Sequence, residues 1–408
     1  MQNAGRSGEK PGNWPSLGGV LPPLVEPAAE LTRDEVARYS RHLVIPDLGV
    51  DGQKRLKNAR VLVIGAGGLG APTLLYLAAA GVGTIGIVDD DVVEQSNLQR
   101  QIIHGVSDIG RPKTQSARDS IVEVNPLVEV CLHEVRLSAA NAVGLFGQYD
   151  LILDGTDNFA TRYLVNDAAV LAHKPYVWGS IYRFEGQVSV FWEDAPGGRG
   201  LNYRDLYPEA PPPGLVPSCA EGGVLGVLCA SIASVMGTEA IKLITGLGEP
   251  LLGRLLLYDA LAMSYRTIAI RKDPAAPAIT GLIDYEQFCG VASDDAAAGD
   301  ADSAITPREL RDLLDAGNKV ALIDVREPAE WAINHIDGAQ LIPNSLISSG
   351  EGLSRLPRDR TPVLYCKTGV RSAEALIAVR NAGFADAVHL QGGIVAWAQQ
   401  MQPDMVMY

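Results

Sequence analysis

The sequence predicts two α/β domains, a larger one built on a mostly parallel sheet and a smaller one after it. An apolar segment at 61–64 runs into the pattern G-x-G-x-x-G and then into a helix-forming stretch, which is the order of strand, glycine-rich turn and helix. A small, acidic and aperiodic segment at 290–303 precedes a second alternation of strand and helix patterns. A chain of 408 residues is long enough for two or three such domains.

The composition excludes several classes of protein. A formal net charge of −14 offers no basic face to nucleic acid or to an anionic membrane. The most apolar stretch, 222–237, is interrupted by glycine and serine and lies between Glu221 and Glu239, so we expect no membrane span. The Gly/Pro-rich segment 1–28 lacks the apolar core of a signal peptide and is predicted to be a flexible tail. We therefore expect a cytoplasmic protein.

The glycine-rich turn predicts a nucleotide site. Gly65, Gly67 and Gly70 allow backbone amides at the start of a helix to approach a phosphate. The next strand pattern begins at Thr84 and ends at Asp89, where a carboxylate suits the hydroxyl pair of a ribose. This part of the chain is therefore predicted to be a βαβ nucleotide unit with a Rossmann-like fold.

Charged residues beyond this unit favour a triphosphate. Arg100 and Lys113 place two cations after the second strand, and a dinucleotide dehydrogenase needs no such pair. Asp157 and Asn158 end another apolar strand, at the edge where open parallel sheets bind their ligands. Asp157 could hold Mg²⁺ against ATP oxygens, because Mg²⁺ prefers one or two carboxylates plus phosphates. An ordinary strand-end turn is the alternative for this pair, but it does not account for the whole set.

These motifs together resemble a known family over about residues 30–285. They are similar to those of the ubiquitin-activating-type adenylyltransferases that prime sulfur-carrier proteins, especially the molybdopterin-synthase adenylyltransferase branch. The resemblance rests on Arg38-Tyr-Ser-Arg41, Gly65-Ala-Gly-Gly-Leu-Gly70, Ser96-Asn-Leu-Gln-Arg100-Gln, Lys113, Gly155-Thr-Asp-Asn158 and Pro217-Ser-Cys219-Ala-Glu-Gly-Gly223.

The resemblance implies ATP and Mg²⁺ as cofactors and a role for each matching position. It implies phosphates on the glycine loop, the ribose on Asp89 and Mg²⁺ on Asp157. Arg41 is implied to reach into the site of a partner subunit, and hence a homodimer. The full set of implied nucleotide-binding residues is Gly65, Gly67, Gly68, Gly70, Asp89, Asp91, Ser96, Asn97, Leu98, Gln99, Arg100, Lys113, Asp157 and Asn158.

One departure from the family pattern concerns zinc. Family members often hold a structural zinc ion on two C-x-x-C pairs. This chain has Asn202-Tyr-Arg-Asp205 at the first place and no ligand at all in 274–279, the second place. We therefore expect no zinc site and direct packing in its stead.

Five scattered cysteines make a poor disulfide framework and a better source of individual thiols. Cys219 lies in a Pro/Gly-rich segment before an apolar helix, where exposure and a helix N-terminus favour a reacting thiolate. A small buried cysteine is the alternative for Cys219. That structural role is the one we assign to Cys131, Cys229 and Cys289.

The C-terminal part of the chain predicts a second thiol site. Cys366 lies between a strand and a helix pattern, in a cradle of backbone amides to which Lys367 and Arg371 add positive charge. With the motifs at 324–330, 335–339 and 390–397, this loop resembles a single-domain rhodanese, whose loop cysteine carries a persulfide. Related phosphatases have five residues between Cys and Arg; the four found here make a smaller cradle that fits a sulfane sulfur.

The two halves predict one pathway. The segment 29–289 would adenylate the C-terminal glycine of a small ubiquitin-like sulfur carrier, and the rhodanese segment 304–402 would supply sulfur from Cys366 to make a thiocarboxylate. Cys219 could then resolve the acyl-disulfide. The alternatives are an activator that forms a carrier thioester on Cys219, with an accessory rhodanese domain, and a binding scaffold. A nicotinamide dehydrogenase leaves the rhodanese half unexplained.

Overall fold

The computed structural model describes residues 20–211, 222–289 and 303–408. They form two compact units, one made of 20–211 and 222–289 and the other of 303–408. Cys219 lies outside the described residues, as does the predicted linker 290–303 apart from Ser303. The predicted reacting thiol of Cys219 therefore stays a prediction.

The first unit is built on an eight-stranded sheet in the order β3-β2-β1-β4-β5-β6-β7-β8. The first five of these strands are parallel, and β6, β7 and β8 continue the sheet in antiparallel fashion. This confirms the predicted mostly parallel, Rossmann-like fold. The strands are β1 (Arg60–Ile64), β2 (Thr84–Val88), β3 (Glu129–His133), β4 (Leu151–Asp154), β5 (Tyr176–Tyr182), β6 (Glu185–Phe191), β7 (Arg254–Asp259) and β8 (Ser264–Ala269).

Two helix ends of this unit show clear terminating signals. Thr32 and Glu35 form a reciprocal capping box at the first helix, and Gly81 ends the helix after the glycine loop with φ of 82°. The helices are α1 (Arg33–Arg38), α2 (Ser40–Leu43), α3 (Gly49–Asn58), α4 (Gly70–Ala80), α5 (Lys113–Val124), α6 (Ala142–Phe146), α7 (Phe159–Leu171), α8 (Gly226–Thr245) and α9 (Tyr285–Phe288).

Helix α8 is both long and apolar. By length and composition alone it is the one helix among the described residues that could cross a membrane. It packs against α4 and β5, and 56% of its apolar window is buried within the unit. Burial against the sheet accounts for its composition, as in the core helix of a globular domain.

Residues 20–28 differ from the predicted flexible tail. The side chains of Leu21 and Val25 are buried, and the amide of Leu24 donates to the carbonyl oxygen of Leu243 at 3.0 Å. Asn58 also donates to the carbonyl oxygen of Glu26 at 3.0 Å. The apolar residues between the prolines cover the end of α8, a role that their Pro-rich composition hides.

The second unit has a five-stranded parallel sheet in the order β11-β10-β12-β13-β9. Met405 is buried against its core, so the ordered unit continues past the predicted boundary at 402. Its strands are β9 (Ala304–Ile305), β10 (Val320–Asp324), β11 (Gln340–Leu341), β12 (Thr361–Tyr365) and β13 (Val388–Leu390), and its helices are α10 (Pro307–Asp315), α11 (Pro328–Ile333), α12 (Asn344–Ser348), α13 (Val370–Asn381) and α14 (Gly393–Met401).

Gly70 is a position where the glycine loop requires the absence of a side chain. A Cβ atom there would lie 1.8 Å from the carbonyl oxygen of Gly65. We expect Gly70→Ala to destabilise the first unit by about 2 kcal/mol or more, because backbone would have to move. Gly237→Ala on α8 is the matched control, since nothing lies within 4 Å of its Cβ position, and it should stabilise by about 0.5–1 kcal/mol. Calorimetric unfolding of both variants tests this, and equal midpoints would contradict it.

Candidate nucleotide site and candidate sulfur-transfer site

A cleft of about 490 Å³ opens at the carboxyl end of the parallel strands of the first unit. It is lined by the glycine loop, the end of β2, the segment before α5 and the loop after β4. Parallel strands bring these parts to one edge of the sheet, although they are far apart in sequence. The predicted residues that line the cleft are Gly65, Gly67, Gly68, Asp89, Asp91, Asn97, Arg100, Lys113, Asp157 and Asn158.

The other predicted nucleotide-binding residues lie beside the cleft rather than in its lining. Gly70 begins α4 behind the loop. Gln99 packs against Gly226 at the first turn of α8. The carbonyl oxygen of Ser96 accepts a hydrogen bond from Arg100 at 3.0 Å, which orients that guanidinium. Leu98, which is half-buried, belongs to the same turn.

Asp89 holds the glycine loop in place. Its Oδ2 accepts from the amide of Ala66 at 2.8 Å and its Oδ1 from the amide of Asp91 at 2.9 Å. Burial raises the pKa of Asp89, while the nearby Lys113 acts to lower it. The carboxylate at the strand end therefore has a structural task in addition to the predicted contact with a ribose.

His104 supports the same loop and is missed by the sequence analysis. Its Nε2 lies 3.1 Å from the carbonyl oxygen of Ala66 and its Nδ1 lies 2.8 Å from the hydroxyl of Ser116. Burial lowers the pKa of His104, which favours the neutral ring. A single histidine in an irregular segment carries no sequence signal for this role.

Lys113 is a cation fixed at the wall of the cleft. Its Nζ lies 2.7 Å from Oδ2 of Asp91, and the lysine side chain is 8% exposed whereas that of Asp91 is 67% exposed. The lysine is thus held by a carboxylate that solvent reaches easily. Such an arrangement keeps an ammonium group beside the space where phosphates would lie.

The loop after β4 supplies polar groups to the opposite wall. The carboxylate of Asp157 is exposed and lines the cleft, as a ligand of Mg²⁺ bound to ATP must. Asn158 caps α7 by accepting from the amide of Thr161 at 2.8 Å. The ordinary turn considered for this pair therefore does describe Asn158, and the role of Asp157 as a ligand of Mg²⁺ stays a prediction.

Arg162 is a further cation of the lining, which also contains Arg100, Lys113 and Arg136. Its Nε and Nη2 both donate to the carbonyl oxygen of Thr156 at 3.1 Å, and Nη2 also donates to Ser180 at 3.0 Å. The guanidinium lies over the ring of Trp178 at 5.7 Å. Its place four residues after Asn158, on the first turn of α7, is the signal that could have found it.

The acidic run after β2 is the one group of three or more metal-ligating side chains found among the described residues. It consists of Asp89, Asp90 and Asp91. Asp89 binds backbone amides and Asp91 binds Lys113. These existing partners make the run part of the loop support, and Asp157 lies across the cleft from it.

Direct contacts hold the segment where the family pattern places the first pair of zinc ligands. Nζ of Lys272 lies 2.6 Å from Glu193 and 3.3 Å from Asp205. The amide of Asp273 donates to Asp205 at 3.1 Å. Charged and backbone groups thus join the 202–205 turn to the segment that follows β8.

The remaining cysteines of the first unit are consistent with structural roles. Cys229 and Cys289 are buried and Cys131 is half-buried. Burial raises the pKa of the Cys289 thiol. A Cβ atom on Gly68 would lie 2.9 Å from Sγ of Cys229, so this thiol packs directly behind the glycine loop.

In the second unit, Cys366 follows β12 and faces the start of α13. Its Sγ accepts from the amide of Gly369 at 3.1 Å, and the hydroxyl of Ser372 lies 3.7 Å from it. Gly369 has φ of 103°, which lets the loop turn its amide inward. One backbone amide of the predicted cradle thus contacts the sulfur, and Cys366 is 1% exposed.

The charge of Arg371 is compensated, which the sequence analysis missed. Its Nη1 and Nη2 each donate to Glu330 on α11 at 2.8 Å. Burial alone would raise the pKa of Glu330, but hydrogen bonds from Arg371, the Glu327 amide and Tyr408 lower it to about 2. The positive charge predicted at the end of the loop is therefore largely neutralised by a buried carboxylate.

Comparison with known proteins decides the family. The sequence model of the ThiF family matches residues 39–278, and that of the rhodanese-like domain matches residues 306–400. The chain belongs to the ThiF family. Its second unit carries the rhodanese-like domain, so the predicted resemblance to both families is confirmed.

Relatives with both parts cover nearly the whole chain. A probable adenylyltransferase/sulfurtransferase MoeZ of Mycobacterium tuberculosis is 82% identical over 95% of this chain and 99% of its own length. The adenylyltransferase and sulfurtransferase MOCS3 of Drosophila ananassae is 41% identical over 93% of this chain and 87% of its own length. This ThiF family member is therefore an adenylyltransferase and a sulfurtransferase.

Two further comparisons concern the first unit. A sulfur carrier protein adenylyltransferase of Thermus thermophilus is 51% identical over 64% of this chain and 98% of its own length. The crystal structure of E. coli MccB matches with a TM-score of 0.51 at 21% identity, over 60% of this chain and 72% of that chain. At that identity the structural match shows the fold alone.

Lys113 provides a test of the cleft. We expect Lys113→Met to weaken Mg-ATP binding at least tenfold, because a positioned cation beside phosphates contributes roughly 1.5–3 kcal/mol. The free energy of unfolding of Lys113→Met should change little, because the Asp91 carboxylate that loses its partner is exposed to water. Arg118→Met on the same helix is the control, because Arg118 is 45% exposed and pairs with its neighbour Asp119. Calorimetric titration with Mg-ATP measures both, and parental affinity in Lys113→Met would contradict the assignment.

Glu330 provides a pH-dependent test of the second unit. Folding lowers the pKa of Glu330 from 4.5 to about 2. The ionised Glu330 therefore contributes fully to the free energy of unfolding above about pH 4.5, and this contribution is lost as the pH falls toward 2. The shift corresponds to roughly 3 kcal/mol. We expect Glu330→Gln to lower the protection of β10 and β12 amides against hydrogen exchange at pH 7. This protection should then fall less steeply between pH 5 and 3 in the variant than in the parent. Hydrogen exchange measures this, with exposed Glu351→Gln as control; an unchanged pH profile would count against the Glu330 pair.

Proposed function

We propose that this ThiF family member adenylates the C-terminal glycine of a small ubiquitin-like sulfur carrier ending in Gly-Gly, and then converts that carboxylate into a thiocarboxylate. The observation that carries the proposal is the presence in one chain of a cleft lined by a glycine loop and cations and of a loop that buries the Cys366 thiol. Neither a conjugation enzyme nor a dehydrogenase requires the second of these sites.

The adenylation step uses the residues that line the cleft. The amides of the glycine loop and the cations Arg100 and Lys113 would hold the phosphates, with Asp157 on Mg²⁺. A carboxylate oxygen of the carrier attacks the α-phosphorus of ATP, and pyrophosphate leaves with the bonding electron pair. The acyl adenylate is needed because a carboxylate is a poor electrophile. Fixed cations stabilise the charge that develops on the phosphates.

The sulfur step uses Cys366. The terminal sulfur of its persulfide attacks the acyl carbon of the adenylate, and AMP leaves, so that carrier and enzyme are joined through an acyl disulfide. The thiolate of Cys219 then attacks Sγ of Cys366. The carrier leaves as the thiocarboxylate, a Cys219–Cys366 disulfide forms, and an external thiol reduces it.

The exposed end of the first sheet offers a surface for the carrier. The β7–β8 hairpin carries apolar side chains that are 54–74% exposed, namely Leu261, Met263 and Tyr265. Register places Tyr265 opposite Tyr258, Tyr258 opposite Gly186, and Gly186 opposite Ile181 in the cleft lining. The distance from Tyr265 to Ile181 is three strand spacings, or about 14 Å. An extended carrier tail of about four residues would span that distance. A carrier body docked on the hairpin could therefore place its last glycine in the cleft.

Several further assignments belong to this proposal. Arg41 is exposed on α2 and lies outside the cleft lining of its own chain, which supports its proposed contribution to a partner's cleft in a homodimer. The direct contacts of Lys272 support a fold without structural zinc. We place the enzyme in the cytoplasm, supplied with sulfur by thiosulfate or by the persulfide of a cysteine desulfurase. Its product would serve molybdenum cofactor synthesis or a related sulfur-requiring synthesis.

Pyrophosphate exchange and mass spectrometry test the two steps separately. We expect carrier-dependent exchange of pyrophosphate into ATP in the parent and in Cys366→Ala, because exchange needs the cleft alone. After a sulfur donor is added, the parent should convert the carrier glycine to a thiocarboxylate and Cys366→Ala should not. Cys131→Ala controls for loss of a cysteine as such.

Other outcomes separate the competing functions. Equal thiocarboxylate formation in Cys366→Ala would remove the rhodanese-like domain from the sulfur path. A carrier thioester on Cys219 that persists without any sulfur donor would favour activation for conjugation. Exchange that does not depend on any carrier would overturn the proposed substrate.

A further inference from the structure

Tyr408 connects the two cations of the Cys366 loop to a rigid part of the second unit. We infer that Tyr408 is a positioning residue for sulfur transfer, whose ring holds Lys367 as the anion-attracting group of the loop and whose hydroxyl fixes the Glu330–Arg371 pair. The inference rests on the proposed role of Cys366 in receiving sulfur. The geometry behind it comes from contacts that lie outside the cysteine cradle itself.

The hydroxyl of Tyr408 lies between two buried charged groups. It donates to Oε1 of Glu330 at 2.7 Å and accepts from Nη1 of Arg326 at 2.9 Å. The same Glu330 receives both Nη groups of Arg371. Burial raises the pKa of Tyr408, so the hydroxyl keeps the proton that it donates.

Arg326, which contacts the Tyr408 hydroxyl, is itself held firmly in place. It is fully buried and its Nη2 lies 2.6 Å from Asp324 at the end of β10. Its Nη1 and Nη2 also donate to Asn334, at 2.9 Å and 2.8 Å. Asn334 in turn donates to the carbonyl oxygen of Val406. The segment that carries Tyr408 is thus held at both its backbone and its side chain.

The ring of Tyr408 fixes the other cation. Nζ of Lys367 lies 4.5 Å from the ring centroid. An aromatic face attracts an ammonium group but, unlike a carboxylate, does not neutralise it. Among the described residues Lys367 forms no ion pair, whereas Arg371 is compensated by Glu330. Lys367 is therefore the group beside Cys366 whose charge remains available to an anionic sulfur donor.

Two alkylating reagents test this without requiring any sulfur transfer. Iodoacetate is an anion and iodoacetamide is neutral, so the ratio of their rates at Cys366 reports the local positive charge. Mass spectrometry of the Cys366 peptide measures both rates in the full chain. We expect Lys367→Met to lower the ratio about threefold to tenfold, Tyr408→Leu to lower it by part of that amount because the released ammonium group remains charged, and the double variant to match Lys367→Met.

Conservative variants separate positioning from folding. Tyr408→Phe keeps the ring and should keep the ratio within about twofold, while Val406→Ala, an exposed neighbour in the same segment, should leave it unchanged. A general loosening of the second unit would speed both reagents and leave their ratio unchanged. An unchanged ratio in Tyr408→Leu, or an equal loss in Tyr408→Phe, would overturn the role of the ring.

Sulfur transfer from thiosulfate to cyanide provides the functional readout. We expect Tyr408→Leu to raise KM for thiosulfate about fivefold with a smaller change in kcat, because a positioned charge acts on binding of the dianion. Retained turnover in Cys366→Ala would overturn the proposed function of Cys366 itself. Parental KM in Tyr408→Leu, with turnover dependent on Cys366, would overturn the positioning role alone.

Discussion

The close approach of Gly70 to the carbonyl oxygen of Gly65 sets the geometry of the first unit. Because α4 begins so near the end of β1, the glycine loop folds tightly and its amide at Ala66 reaches the Asp89 carboxylate. Cys229 on α8 packs behind Gly68, so this core helix also limits the space available to the glycine loop. Small residues thus allow the close packing of β1, α4 and α8 that shapes the predicted phosphate-binding loop.

Both sites use carboxylates to hold cations, with different degrees of compensation. Lys113 is buried while its partner Asp91 is exposed. Because water screens the charge of Asp91, a phosphate could compete with that carboxylate for the ammonium group. Arg371 and Glu330 are both mostly buried, and their mutual attraction is correspondingly stronger. The first arrangement leaves a cation free to exchange its partner for a ligand, and the second fixes loop geometry.

The sequence predicted elements and motifs better than it predicted partners. Regular strand patterns and the glycine spacing located β1, α4 and β2, and the loop around Cys366 was recognisable because it is contiguous. His104 and Arg162 escaped because their roles depend on contacts with Ala66 and Thr156, which sequence spacing does not show. The sequence also did not show that Glu330, which comes from a different helix, pairs with Arg371.

In the Cys366 loop, Arg371 is neutralised by Glu330 and Lys367 is not neutralised. This arrangement suits a loop that carries sulfur on its cysteine better than it suits a loop that binds an anion tightly. In the proposed reaction the Cys366 loop must first attract a donor anion and later meet an acyl adenylate whose leaving group is AMP. A loop with two uncompensated cations would retain both the donor product and AMP. Compensation of Arg371 by Glu330 removes one such attraction, while the aromatic support of Lys367 preserves the other. The short loop predicted from sequence and the compensated Arg371 are therefore both consistent with the proposed ligand, a single sulfur atom.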